Sequence, residues 1–91
     1  MNPGTSPTTH LPLMTTLGCA WLGLTPDEAI AAITTRAAAA LSLGRHAGGL
    51  WEGARADFVV SRWSDWRRIP YEMGAQSVNQ VWIGGRKVSE A

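Results

Sequence analysis

Apolar residues recur at near-helical spacing from Leu11 to Trp21, where Leu11, Leu13, Met14, Leu17, Ala20 and Trp21 fall on one side of an expected helix. Pro12 fits its first turn, where a missing N–H costs nothing, and Gly23 marks its end. Thr25-Pro26-Asp27-Glu28 is a stronger signal: Thr25 can cap, Pro26 suits the first helical position, and Glu28 completes a capping box. The run Ala29-Ile30-Ala31-Ala32-Ile33 continues that helix, expected over about 25–34. Thr34-Thr35 interrupts it with β-branched hydroxyls suited to recapping a further helix over about 35–43, with Gly44 as its C-cap.

From Gly48 the pattern changes to short β-rich runs. Gly49-Leu50-Trp51 and Ala56-Asp57-Phe58-Val59-Val60 are expected strands around the turn Glu52-Gly53-Ala54-Arg55. Arg67 to Met73 suits one or two helical turns closed by Gly74. Val78–Ile83 and Arg86–Ser89 flank Gly84-Gly85, a two-residue hairpin signal. A helical half followed by a strand half implies two segregated layers or parts of two domains. Three or four short strands make a poor independent sheet unless others pair with them.

Composition sharpens that last point. Only 16% of the residues are charged, against roughly 25% in an ordinary soluble domain, while 45% are apolar. Five Trp in 91 residues exceed what so small a core can enclose. Some apolar surface is therefore expected to meet a partner, either more of a larger protein or a second copy, and a homo-oligomer is expected. The net charge of +1, with both signs interspersed, argues against nucleic-acid and anionic-membrane partners. No apolar run approaches a transmembrane length, and Met1-Asn2-Pro3 does not open a signal peptide. A single Cys19 fits a reducing compartment, so a cytoplasmic location is expected.

Recognised metal and nucleophile motifs do not occur. His10 and His46 lie far apart with no acidic or cysteine neighbours at ligand spacing, and read as surface or packing residues. Cys19 reads as a buried, inert thiol, and Asp57 as a carboxylate bonding backbone in a turn. The run Arg62-Trp63-Ser64-Asp65-Trp66-Arg67-Arg68 reads as interface or core rather than a base-stacking surface. Asn2-Pro3-Gly4-Thr5-Ser6-Pro7 differs from all of these. It combines an amide, two hydroxyls and a glycine in a tight turn, expected to leave backbone N–H groups exposed toward a small polar or anionic ligand. A loop of this kind is normally held by a scaffold on both sides, so the chain reads as though an earlier part were missing.

Gly49-Leu50-Trp51-Glu52-Gly53-Ala54-Arg55-Ala56-Asp57-Phe58-Val59-Val60 resembles the G-x-L-x-x-G-x-x-A-D-hydrophobic signature of the amidohydrolase superfamily. Val81-Trp82-Ile83-Gly84-Gly85-Arg86-Lys87-Val88 is similar to that superfamily's closing V-x-x-G-x-x-V hairpin, and Leu24-Thr25-Pro26-Asp27-Glu28-Ala29 to its L-T-P-E-E-A helix opening. Asn2-Pro3-Gly4-Thr5-Ser6-Pro7 resembles more narrowly the D-x-N-P-G-T-S-P loop of the imidazolonepropionase family, with Pro70-Tyr71-Glu72-Met73-Gly74 as a weaker match.

The resemblance implies an α/β fragment: the last loop and helices of a (β/α)8 amidohydrolase barrel (residues 1–47), then C-terminal strands of a small composite β-sandwich domain (residues 48–91). It implies a metal-dependent enzyme of histidine degradation that hydrolyses 4-imidazolone-5-propanoate to N-formimino-L-glutamate with zinc or iron. Asn2, Gly4 and Thr5 correspond to positions that hold the substrate's carboxylate end. The family's metal-binding Asp should lie two residues before Asn2, where Met1 leaves room for one, and its paired histidines lie in the barrel proper. The chain alone is therefore expected to carry no catalytic or metal-ligating residue, to bind no metal by itself, to be inactive, and to have the rest of the barrel as partner. Two alternatives remain: a stand-alone, non-catalytic oligomerising module, and a fragment of an amidohydrolase acting on another cyclic amide.

Overall fold

The computed structural model describes residues 2–91. Helices α1 (Leu11–Leu22), α2 (Pro26–Ile33) and α3 (Thr35–Ala40) come first, followed by strand β1 (Phe58–Ser61), the single-turn helix α4 (Arg68–Tyr71), and strands β2 (Val78–Ile83) and β3 (Arg86–Glu90).

The local signals explain most of these boundaries. Pro12 lies in the first turn of α1, which ends at Gly23. The capping box of α2 is complete: the Glu28 N–H donates to Thr25 Oγ1 at 3.2 Å, and the Thr25 N–H donates to Glu28 Oε1 at 3.0 Å. The break between α2 and α3 falls at Thr34, but its hydroxyl donates to the Ile30 carbonyl at 2.7 Å and does not cap α3. A threonine hydroxyl four residues along a helix reaches back to that carbonyl more readily than forward. Helix α3 also stops before Gly44. Ser42 takes a left-handed φ of 60°, the Leu43 N–H donates to the Ala38 carbonyl at 2.8 Å, and the Ser42 N–H donates to the Ala39 carbonyl at 3.0 Å. That is a Schellman closure built on serine.

The expected strand at Gly49-Leu50-Trp51 does not form. These residues belong to a loop closed by the Arg55 N–H on the His46 carbonyl at 2.7 Å, with a turn from Trp51 to Ala54. A strand requires a ladder, and these residues have no strand beside them among those described. The loop folds back on the α2–α3 junction at Gly48, whose φ is +94°. A Cβ there would stand 2.7 Å from Ala38 Cβ and 2.9 Å from the Thr34 carbonyl oxygen.

The sheet has the order β1-β2-β3 and is antiparallel throughout, with Phe58 opposite Trp82 and Val59 opposite Val81. The Phe58 and Trp82 rings stack at 5.6 Å. Gly84-Gly85 forms the β2–β3 turn with φ of +59° and +79°, as a two-residue hairpin requires.

Helix α1 packs on α2 and α4, and α2 on α3. Between this layer and the sheet lies an apolar cavity of about 290 Å³, lined by residues that include Leu11, Ile30, Ile33, Val59, Ile69 and Val78. Among the described residues full burial is confined to small side chains: Ala29 and Ala38, with Thr15, Thr16, Ser77, Gly18 and Pro70. Large apolar groups remain outside, among them Trp21 at 78%, Leu50 at 80% and Tyr71 at 81% exposure. The accessible surface is 6586 Å², whereas a compact monomer of this mass exposes about 5,200 Å². The low charge and surplus tryptophan of the sequence thus appear as uncovered apolar surface. Among the described residues no helix is long and apolar enough to cross a membrane.

Candidate functional site

The loop Asn2–Pro7 closes on itself as a miniature hairpin. The Asn2 N–H donates to the Ser6 carbonyl at 2.8 Å, and the Ser6 N–H returns to the Asn2 carbonyl at 2.6 Å. The Thr5 N–H reaches the same carbonyl at 3.1 Å, and the Gly4 N–H donates to Asn2 Oδ1 at 3.1 Å. This corrects one expectation. The backbone N–H groups of the loop are spent internally, and Pro3 and Pro7 have none, so none is left to face a ligand. What the loop offers outward is side-chain chemistry: Asn2 Nδ2 and the hydroxyl of Thr5 have no partner among the described residues, and Asn2, Gly4 and Thr5 are all exposed.

Asn2, Gly4 and Thr5 sit together at one exposed turn. Gly4 has neither a positive φ nor a crowded Cβ direction, since the nearest atom to an added Cβ is Asn2 Oδ1 at 3.6 Å. Nothing within the loop demands glycine there.

A hollow of about 120 Å³ separates the loop from the start of α1, lined by Ser6, Thr8, Thr9, His10, Leu11 and Met14. The Thr8 hydroxyl accepts the His10 N–H at 3.1 Å, which turns the chain into α1. His10 occupies the N-cap without capping, and its Nε2 is buried with no partner among the described residues. Spacing alone carried no signal for this orphaned nitrogen, because it arises from how the loop folds over the helix start. No acidic or basic side chain lies between Asn2 and Thr9, so the site's polarity is neutral amide and hydroxyl.

The other candidates separate. His46 lies on the exposed turn after α3, and Cys19 is half-buried on α1 rather than enclosed. Asp57 is a structural carboxylate: Oδ1 accepts the Gly84 N–H at 2.8 Å and Oδ2 accepts from Arg55 Nε at 2.8 Å. The Gly84 backbone donor first, and the Arg55 guanidinium second, hold its carboxyl below its ordinary value. In the tryptophan–arginine run, Arg68 lies over the Trp63 ring at 5.0 Å and pairs with Glu72, while Arg67 pairs with Asp65.

Asp57 also joins the two halves of the C-terminal signature. The A-D step before β1 holds the glycine turn after β2, and the Gly85 N–H adds a bond to the Ala56 carbonyl at 2.9 Å. A model of the amidohydrolase family matches residues 1–89. The chain belongs to the amidohydrolase family. Within it, this amidohydrolase chain is similar to proteins named imidazolonepropionase. The one from Deinococcus deserti is 46% identical over 88 residues, covering 97% of this chain and 22% of that protein. Those from a Geobacillus species and Erwinia tasmaniensis are 40% and 44% identical, over 96% and 93% of the chain and 20% and 18% of their own lengths. The amidohydrolase chain thus spans about a fifth of the length of the curated relatives it matches.

The family implies a metal in the whole enzyme. Among the described residues no three His, Cys, Asp or Glu side chains converge.

Proposed function

We propose that the chain is the substrate-loop and C-terminal portion of an imidazolonepropionase, the enzyme that opens the ring of 4-imidazolone-5-propanoate to N-formimino-L-glutamate in histidine degradation. The observation that carries this reading is the loop Asn2–Pro7, self-closed and presenting Asn2 and Thr5 side chains outward, in a chain similar over nearly its whole length to proteins of that name. Asn2 Nδ2 and the Thr5 hydroxyl donate to the substrate's carboxylate, and Gly4 leaves room for it to approach. In this reading residues 1–47 end a (β/α)8 barrel and residues 48–91 complete a composite β-sandwich. The zinc or iron of the whole enzyme would polarise the ring carbonyl and activate water. This chain's own residues hold and orient the carboxylate end, no catalytic step falls to them, and the isolated chain is inactive. The whole enzyme would be cytoplasmic, with a small-molecule substrate and neither nucleic-acid nor membrane partners.

A hybrid tests the reading: this chain replaces the corresponding last fifth of the Deinococcus deserti protein. Hydrolysis of 4-imidazolone-5-propanoate is expected, with Asn2→Ala raising KM about tenfold or more through loss of a hydrogen bond to a charged group. A folded hybrid without activity overturns the assignment. A folded hybrid that hydrolyses only another cyclic amide selects the alternative substrate class. Turnover by the purified 91-residue chain with Zn²⁺ or Fe²⁺ would refute its inactivity.

A further inference from the structure

We propose that Thr8 is a positioning residue for the substrate carboxylate: its hydroxyl locks the self-closed loop Asn2–Pro7 to the start of α1 and sets the direction in which Asn2 and Thr5 are presented. The inference rests on the assignment of those two side chains to the carboxylate. Both backbone groups of Asn2 bond to Ser6, so the turn keeps its shape by itself. A turn closed in this way moves as one body, and its aim depends on the link that joins it to the helices. That link is Pro7-Thr8-Thr9-His10, ahead of Leu11 at the start of α1.

Thr8 grips the link from both ends. Its N–H donates to the Ser6 carbonyl at 2.9 Å, the same acceptor that takes the Asn2 N–H, and its hydroxyl accepts the His10 N–H at 3.1 Å. Pro7, between Ser6 and Thr8, has its φ fixed by the ring. From His10 the hold passes into the helix: the Leu13 N–H donates to the His10 carbonyl at 3.1 Å, and α1 packs on α2 and α4. Among the described residues the Thr8 hydroxyl makes the link's one side-chain hydrogen bond, since His10 sits at the N-cap without capping and Thr9 is exposed. Thr8 is itself half-buried, lining the hollow between loop and helix, so it acts through Asn2 and Thr5.

Two measurements test this. In NMR relaxation of the 91-residue chain, the amides of Gly4, Thr5 and Ser6 should show the order parameters of α1, about 0.85. Thr8→Val, which keeps the shape and removes the acceptor, should lower them below about 0.6 while α1 keeps its own. In the hybrid enzyme described above, Thr8→Val should raise KM about three- to tenfold, as loss of one neutral hydrogen bond allows, with kcat unchanged. Thr8→Ser retains the oxygen and should keep both readouts at their original values. In an Asn2→Ala background Thr8→Val should raise KM by less than it does alone, because part of its effect runs through Asn2. Loop order parameters that stay at those of α1, an unchanged KM in an active hybrid, or full multiplication of the Asn2 and Thr8 effects overturns the proposal. If Thr8→Val does not fold, Thr8→Ala, which also lacks the acceptor, takes its place in both measurements. A folded hybrid without activity sinks the functional reading instead, and the order parameters still decide whether Thr8 holds the loop.

Discussion

Replacing Gly48 by alanine should destabilise the chain markedly, and the structure separates two reasons. At φ +94° the residue lies where L side chains are disfavoured, at a cost of about 1–2 kcal/mol. The added methyl also meets Ala38 Cβ at 2.7 Å and the Thr34 carbonyl oxygen at 2.9 Å. The carbonyl belongs to the α2–α3 junction and cannot swing aside, so overpacking adds about 1–3 kcal/mol. The expected total is about 2–5 kcal/mol, a large share of the roughly 5 kcal/mol at the lower end for a small domain. Gly53 provides the control: its φ is +90°, and nothing lies within 4 Å of an added Cβ. Gly53→Ala should therefore cost only the conformational part, about 1–2 kcal/mol. Urea unfolding followed by tryptophan fluorescence measures both, and a difference of about 1–3 kcal/mol should move the midpoint by about 1–2 M. Equal midpoints for the two variants would refute the packing of this loop on the α2–α3 junction.

Ser42→Gly should stabilise by about 0.5–1 kcal/mol in the same titration, because serine holds the left-handed position of the α3 closure. Thr25→Ala should cost about 1 kcal/mol by removing the α2 cap, with reduced helical circular dichroism as the second readout. Asp57 has a depressed folded pKa, so its contribution is present above its ordinary value of 3.8 and disappears as pH falls through the folded value. The stability gap between the native chain and Asp57→Asn, measured by urea midpoints, should be open at neutral pH and close on acidification below about pH 4. Gly4→Ala should leave the isolated chain's stability within about 0.5 kcal/mol yet raise KM in the hybrid enzyme. A stability loss above 1 kcal/mol would mean that the loop itself, and not its ligand, requires glycine.

Signals whose partners lie within a turn or two of chain were legible in the sequence. Thr25 and Glu28 cap each other across one helical turn, and Gly84-Gly85 closes a hairpin whose strands are its neighbours. The break at Thr34, the short helix after Arg67 and the order of helices before strands follow from the same local reasoning. So does the gathering of Asn2, Gly4 and Thr5 at one turn.

Tertiary structure decided the rest, wherever competing local options needed a distant partner to choose between them. Gly49-Leu50-Trp51 has the composition of a strand, but no ladder was within reach, and the His46–Arg55 bond made it a loop. Gly44 was the better C-cap residue, yet the closure formed two residues earlier on Ser42. The fate of the N–H groups in the Asn2–Pro7 turn depended on its closing on itself, which residue types alone do not specify. Asp57 found its role only when the β2–β3 turn arrived 27 residues along the chain. Composition by itself required that apolar surface stay uncovered, because 91 residues with five Trp and few charges cannot bury what they carry. Which surface that is was settled by the strand order and by which side chains the helices happened to cover.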